Sequence, residues 1–404
     1  MNIFIINSGS SSIKYQLFKM PSESPVCSGL VERLGTGNAK VIHKTYKRNL
    51  ECISTQVLDL PDHEAGFSEI VRLITDPVNG VIKNTADIEV VGHRVVQGGK
   101  NLSKTTIITD FVKQEIKRLF KLAPLHNPGH YKGIEVAEKI FSKAVQIAVF
   151  DTAFHQTMPE KAYRYAIPAS FYTDYGLRVY GFHGTSHKYV SEKAAKYLGK
   201  PNAKIITIHL GNGCSMAAVN AGKCIDTSMG LTPLDGLIMG SRCGNIDASV
   251  VMYLSSHLGY TTEQTNDLLN NKSGMLGLTG YSDMRDIGRL VDEGDPAAKL
   301  AYDMYTYRIK KFIGSYAAAL NGLDAIVFTA GVGENDCRTR EMVCADMEYL
   351  GIVLNLNKNK ASLPGIKDIG SVNARTRILV IPTNEELEIA NQCVALLELE
   401  EIAG

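Results

Sequence analysis

Apolar and polar positions alternate over short runs along this chain, and clusters of small polar residues close the runs abruptly. Residues 2–6 are apolar and β-prone, Asn7-Ser8-Gly9-Ser10-Ser11-Ser12 interrupts them, and residues 13–18 alternate again. That pattern predicts strand, tight polar turn, strand. A second copy lies at 204–219, where an apolar run ending at Leu210 meets Gly211-Asn212-Gly213-Cys214-Ser215 before residues 216–219 resume. A third predicted strand, 325–328, runs into a glycine-rich turn at Gly331-Val332-Gly333-Glu334-Asn335.

Between these runs the period changes to that of helices. Asn127-Pro128 opens one with Pro at the first helical position, followed by the stripe Tyr131, Ile134, Ala137, Ile140, Phe141 and Ala144. Thr185 or Ser186 is the expected cap of another, which carries Tyr189, Val190, Ala194, Tyr197 and Leu198 and stops at Gly199. A long helix over 298–320 ends at Asn321-Gly322, and the last helix starts with a capping-box pattern, Thr383-Asn384-Glu385-Glu386. Interleaved strands and helices predict the α/β class. The repeated strand-turn-strand predicts two related halves, hence two lobes around a central cleft. The length, 404 residues, agrees with two or three domains at about 150 residues each.

Composition narrows the function mainly by exclusion. With 43 basic and 42 acidic residues and no basic tract, the chain gives no reason to expect nucleic acid or an anionic membrane as partner. Its eight cysteines form no C-x-x-C pair and no zinc-finger spacing, and read as scattered thiols of a reducing compartment. No run of about 18 apolar residues occurs, and residues 1–10 lack the basic, then apolar build of a leader. No membrane span or secretion signal is therefore expected, and the expected location is cytoplasmic.

The candidate chemistry sits in the turns. Small residues at 7–12 let backbone N–H groups approach phosphate oxygens, while Ser10, Ser12 and Lys14 add hydroxyls and positive charge. A serine-rich hairpin turn would have the same composition, and no Walker A sequence exists. Gly211–Ser215 can hold a second phosphate, and 331–335 lacks the last glycine of a dinucleotide fingerprint. Three such turns, each after a strand, point to a polyphosphate nucleotide. Arg94, between Gly92-His93 and Val95-Val96, and Arg242, within Gly240-Ser241-Arg242-Cys243-Gly244, have small neighbours that let a guanidinium face a cleft. Its planar fork suits carboxylate or phosphate, with a structural ion pair as the alternative for each. Asp151 closes the apolar run 145–150, and Glu385 follows 378–381 at a helix start. Each reads either as a metal or substrate carboxylate or as a cap. His183 and His187 are four apart, as are His126 and His130, but Pro128 and Gly129 break the second pair and the first lacks the glutamate of a zinc protease. His183 is better read as a single donor facing a cleft.

Ile5-Ile6-Asn7-Ser8-Gly9-Ser10-Ser11-Ser12-Ile13-Lys14 resembles the N-terminal signature of the acetokinase family. The resemblance continues, in family order, through Gly92-His93-Arg94-Val95-Val96, Ala123-Pro124-Leu125-His126-Asn127-Pro128, Phe150-Asp151-Thr152-Ala153-Phe154-His155 and Tyr180-Gly181-Phe182-His183-Gly184-Thr185-Ser186-His187. It runs on through His209-Leu210-Gly211-Asn212-Gly213, residues 229–244 and 329–335, to Thr383-Asn384-Glu385-Glu386. One departure is Gln97, where the family usually has His. Glutamine donates a hydrogen bond but carries no charge, so local tuning, not reaction class, is expected to change.

The resemblance implies a two-lobed actin-like ATPase (ribonuclease H-like) fold, with duplicated mixed sheets and flanking helices. The first lobe would be residues 1–153 with 386–404, the second 154–385. It also implies a homodimer, ATP/ADP as co-substrate, Mg2+ (with Mn2+ as substitute) and a small carboxylic acid as acceptor. An ionised carboxylate needs no general base, so alignment and charge neutralisation would carry in-line transfer of the γ-phosphoryl group, giving acetyl phosphate and ADP. Arg94 and Arg242 would orient carboxylate and phosphoryl, His183 would donate to equatorial oxygens, and Asp151 would orient Arg94 or metal-bound water. Asn7 and Glu385 would hold Mg2+. Ser10, Ser12, Lys14, His209, Leu210, Gly211, Asn212 and Gly213 would meet the phosphates, with Asp283, Met284, Arg285, Gly331, Val332, Gly333, Glu334 and Asn335 at the adenosine end. Val96, Leu125, Phe182 and Pro233 would wall the alkyl pocket. The alternatives are a propionate or butyrate kinase, and a non-kinase ATPase of actin or chaperone type.

Overall fold

A computed structural model describes residues 1–47, 50–362 and 364–403. Residues 48, 49, 363 and 404, the last of which ends the segment assigned to the first lobe, lie outside the described residues. The chain divides into two compact units, Met1–Ala153 with Asn384–Gly404, and Phe154–Thr383.

The first unit is built on an eight-stranded sheet. Its strands are β1 (Asn2–Ser8), β2 (Ser12–Lys19), β3 (Pro25–Glu32), β4 (Ala39–Lys47), β5 (Leu50–Leu58), β6 (Val90–Val95), β7 (Thr106–Ile107) and β8 (Val145–Phe150). Their order is β5-β4-β3-β2-β1-β6-β8-β7. β1 pairs antiparallel with β2 on one side and parallel with β6 on the other. A strand so placed is covered on both faces, which is why Ile3, Phe4, Ile5 and Ile6 are all buried. At the edge, β5 buries none of its residues and leaves Leu50, Ile53 and Val57 exposed. One core packs Phe4, Tyr15, Phe67 and Phe141 together, and another gathers Val95, Val112, Ile116, Ile134 and Phe150.

The second unit has six strands, β9 (Lys204–Leu210), β10 (Cys214–Asn220), β11 (Lys223–Thr227), β12 (Ala325–Thr329), β13 (Lys367–Asp368) and β14 (Arg377–Val380), in the order β11-β10-β9-β12-β14-β13. β9 pairs antiparallel with β10 and parallel with β12, as β1 does with β2 and β6. The predicted repeat is therefore present in pairing, orientation and turn position. Val190, Ala194, Ile205, Ala217, Val327 and Leu379 form its core between sheet and helix.

Three local expectations give way to tertiary demands. The helix predicted to be capped by Thr185 or Ser186 spans Gly184–Leu198, with His183 at the N-cap in the left-handed region (φ 56°), so both hydroxyls are buried inside it. The last helix, Glu385–Ala403, is capped by Asn384, whose side chain accepts from the Leu387 N–H at 3.1 Å, because the Thr383 hydroxyl is engaged with Ser186 at 2.9 Å. Residues 331–335 form no open turn. They coil into a short helix, Ala330–Asn335, entered through Ala330 at φ 65°.

Candidate active site

In the first unit, the turn between β1 and β2 is held from beneath. The Gly9 N–H donates to Ser12 O at 2.8 Å, and His63 Nε2 lies 2.8 Å from Gly9 O. Helix Asn127–Ile140 reaches the turn only because it is glycine where it touches. A Cβ on Gly129 would lie 2.7 Å from Gly9 C, and one on Gly133 would lie 2.5 Å from Ser8 Cβ. Any side chain there would push helix and turn apart. Ser10 is left exposed, with Ser12 and Asn7 half-buried. Lys14, cross-strand from Asn7, forms an ion pair with Glu386.

Arg94, in β6, and Asp151, directly after β8, form a forked, largely buried ion pair. Arg94 Nη2 donates to Asp151 Oδ2 at 2.6 Å, while Nε donates to the same carboxylate at 3.1 and 3.2 Å. Burial pulls the guanidinium pKa down, yet Asp151 and Glu385 together hold it above its ordinary value. The Glu385 carboxyl is pushed up by burial and by the negative charge of Asp151 and Glu386, against the pull of Arg94. A partly buried carboxylate beside two others has the donor chemistry a hydrated Mg2+ takes, since that ion uses one or two carboxylates and keeps several waters. Among the described residues, no group of three or more His, Cys, Asp or Glu side chains is arranged as an all-protein metal cage. Of the expected alkyl walls in this unit, Val96 is buried whereas Leu125 stands 60% exposed. Gln97 is wholly buried, its backbone paired with the Asn127 amide and its side-chain oxygen accepting from the Gly99 N–H at 2.9 Å. The Gln97 oxygen thus supports the 97–99 turn, while its Nε2 is buried with no hydrogen-bond partner among the described residues.

In the second unit, the turn between β9 and β10 gathers His183, His209 and Arg242. The His183 and His209 rings stack with centroids 4.2 Å apart. A Cβ on Gly213 would lie 3.6 Å from His183 Nε2 and 3.7 Å from Arg242 Nη1, so glycine leaves room for both at one point. Arg242 Nη1 donates to Pro233 O at 3.1 Å and approaches Met239 Sδ, and no carboxylate of the described residues pairs with it. Burial pulls its pKa below the ordinary value, the expected response of a guanidinium held without an anion. Phe182, immediately before His183, is buried, with its carbonyl 2.9 Å from His155 Nε2, and Pro233 is half-buried.

Next to this turn lies a cavity of about 1060 Å³. Gly211, Asn212, Asp283, Met284, Arg285, Gly331, Val332 and Asn335, all named above for the nucleotide, line it. His209, Leu210, Gly213, Gly333 and Glu334 do not line it. Glu334 faces inward because its Oε1 accepts from the Ala330 and Thr383 N–H groups at 2.9 and 3.1 Å. Asp283 caps helix Met284–Asp292 and pairs with Arg285, whose side-chain hydrogen bonds hold its pKa down to about 2. The cavity also takes Gly240, Met275, Gly288, Tyr302, Tyr305, Asp336 and Arg338, none of them singled out from the sequence for this role. Tyr302 and Tyr305, on helix Pro296–Leu320, carry the spacing of an ordinary core stripe, so only packing reveals them as wall. Asp336 and Arg338 follow the glycine-rich segment and were adjacent to a usable signal.

Two duplicated mixed sheets, each with a glycine-dependent hairpin turn, and a turn-side arginine and histidine beside a large cavity define a phosphotransferase of the actin-like ATPase class. The chain belongs to the acetokinase family, whose model matches residues 2–391. Acetate kinase of Flavobacterium johnsoniae is 55% identical over 98% of this chain and 100% of its own length. That of Thermotoga maritima is 48% identical over 98% of this chain and 99% of its own. Among solved structures, Porphyromonas gingivalis acetate kinase superposes with a TM-score of 0.91 at 42% identity, covering 98% of this chain and 99% of that one. A propionate kinase from Francisella tularensis gives 0.89 at 42%, covering 97% and 98%.

Proposed function

We propose that the chain is an acetate kinase, moving the γ-phosphoryl group of ATP reversibly to the carboxylate of acetate to give acetyl phosphate and ADP. The observation that carries this reading is Arg242, a half-buried guanidinium without a carboxylate partner among the described residues, beside His183 at the turn next to the cavity. In the transfer, a carboxylate oxygen forms the new bond to phosphorus while the bond to the ADP oxygen breaks, and no proton moves. Arg242 and His183 face the charge that spreads over the equatorial oxygens. Arg94, oriented by Asp151, takes the carboxylate. The β1–β2 turn with Ser10, Ser12 and Lys14, and the β9–β10 turn with Gly211, Asn212 and Gly213, take phosphates. The cavity takes the nucleoside. Asn7 and Glu385 hold Mg2+, which when bound offsets the negative charge of the polyphosphate.

The reading also includes a cytoplasmic homodimer. All eight cysteines are free thiols, as suits a reducing compartment. No helix of the described residues is long and apolar enough to cross a membrane. Helix Ala248–Leu258 buries none of its residues although Val250, Val251, Met252, Tyr253 and Leu258 lie on it, and an apolar helix left in water is the expected face for a second copy. Light scattering on the purified chain should give twice the monomer mass, reduced by Met252→Glu.

The substitute reading, a propionate kinase, draws on the Francisella tularensis structure. One methylene is worth only about 1–3 kcal/mol of discrimination, so the acceptor is a matter of ratio. Hydroxylamine trapping of acyl phosphate from acetate, propionate and butyrate should give the highest kcat/KM with acetate. A maximum with propionate would rename the acceptor, and no acyl phosphate from any acid would end the kinase reading.

A further inference from the structure

The histidine that grips the β1–β2 turn, His63, is the first residue of helix His63–Ile74, which Asp62 caps by accepting from the Ala65 N–H at 2.9 Å. Gly66, Phe67 and Ile70 follow it three, four and seven positions on and are buried, so His63 is the polar end of the helix's inward stripe. Its Nε2 lies 2.8 Å from Gly9 O. A carbonyl oxygen only accepts, so Nε2 carries the proton and donates.

Three contacts fix the Gly9–Ser10 peptide. His63 holds its oxygen. The Gly9 N–H donates to Ser12 O at 2.8 Å, which anchors the residue that carries that oxygen. Over the flat face lies Gly129 of helix Asn127–Ile140. A Cβ there would be 2.7 Å from Gly9 C, 2.9 Å from Gly9 O and 2.9 Å from Ser10 N, near-equal distances that place the helix backbone above the peptide plane. The peptide is trans, so its N–H points opposite to its C=O. With the oxygen turned to His63, the Ser10 N–H is turned away from it. Ser10 is exposed, and no group among the described residues accepts from this N–H. Glycine at position 9 tolerates either orientation of the peptide, having no Cβ. The contact with His63 therefore decides which way it faces. We propose that His63 is a positioning residue for anion binding: by holding the Gly9 carbonyl it keeps the Ser10 N–H directed as a donor to a phosphate oxygen of the nucleotide. The role rests on the reading of the β1–β2 turn as a phosphate site. Without His63 the peptide can turn over and present its carbonyl, which repels an anion.

Calorimetric titration of the full-length protein with ADP, with no acceptor present, tests this. His63→Ala and His63→Leu, which supply no donor, should bind ADP about tenfold more weakly and raise KM for ATP about tenfold, with kcat within about threefold and KM for acetate within about twofold of wild type. His63→Gln, which keeps an N–H donor, should stay within about threefold of wild type, and free imidazole should restore ADP affinity to His63→Ala. In the wild type the Ser10 amide resonance should shift on addition of ADP, a readout that stands even where a variant fails to fold. Unchanged ADP affinity in folded His63→Ala and His63→Leu, a loss that neither glutamine nor imidazole recovers, or a Ser10 amide unmoved by ADP would overturn this role for His63. A protein that follows the expected pattern with ADP yet forms no acyl phosphate from any acid would overturn the kinase reading alone.

Discussion

In the first unit, the strand beside the hairpin carries Arg94 into a forked pair with Asp151, a carboxylate only 1% exposed, with Glu385 and Glu386 nearby. In the second unit, the arginine beside the equivalent hairpin, Arg242, donates to a carbonyl oxygen and approaches a thioether, with no carboxylate partner among the described residues. The scaffolds match strand for strand around the turn, so the difference lies in what the flanking segments supply. The first unit thus supplies its arginine with a carboxylate of its own, whereas the second supplies none among the described residues.

Removing each arginine should break this comparison most sharply. Arg94→Ala leaves Asp151 buried without its partner, so it should destabilise the protein by about 3–5 kcal/mol in urea unfolding as well as abolish turnover. A stability within about 1 kcal/mol of wild type would show that Asp151 finds another partner. Arg242→Ala strands no carboxylate, so its unfolding midpoint should hardly move while kcat falls about 10²–10³-fold. Equal stability losses in the two variants would erase the contrast.

Acid should act on the first unit through two buried neutral histidines. Burial lowers His93 to about 4 and His130 to about 3, from an ordinary value of 6.5. Unfolding lets these rings bind protons, so stability is lost as pH falls below about 6.5, by up to about 1.4 kcal/mol per pH unit for each ring, down to its folded value. Urea midpoints measured from pH 7 to 5 should show this decline, and a flat profile would contradict the buried neutral state. The smallest effect belongs to Asp283. Its exposed pair with Arg285 is screened by solvent and contributes little to stability. With its pKa at about 2 against 3.8 ordinarily, that increment is complete above the ordinary value and disappears as pH falls through the folded one. Asp283→Asn should therefore change KM for ATP more visibly than it changes melting.

The hairpins, the helix opened by Asn127-Pro128 and the arginine settings were legible because each depends on neighbours in sequence. The capping of the two site helices was not. Thr383 and Ser186 have the right local chemistry for caps, but each spends its hydroxyl on a group brought near by folding, 2.9 Å apart and 197 positions away in the chain. The cavity wall was half legible for the same reason. Gly211, Asn212 and Gly331 announce themselves as turn glycines and neighbours, whereas Tyr302 and Tyr305 are indistinguishable from core residues until the helix is packed.

Sequence alone determined the strand-turn-strand repeat, the α/β class and the residue types available for charge at the turns, since alternation, breaker residues and caps act over a few positions. Tertiary structure decided which of two arginines is paired, which glycines are contact points and which backbone carbonyl His63 meets. Those outcomes depend on distances between segments far apart in the chain, and a pair of residues acquires a hydrogen bond or an ion pair only when packing has brought it within about 3 Å.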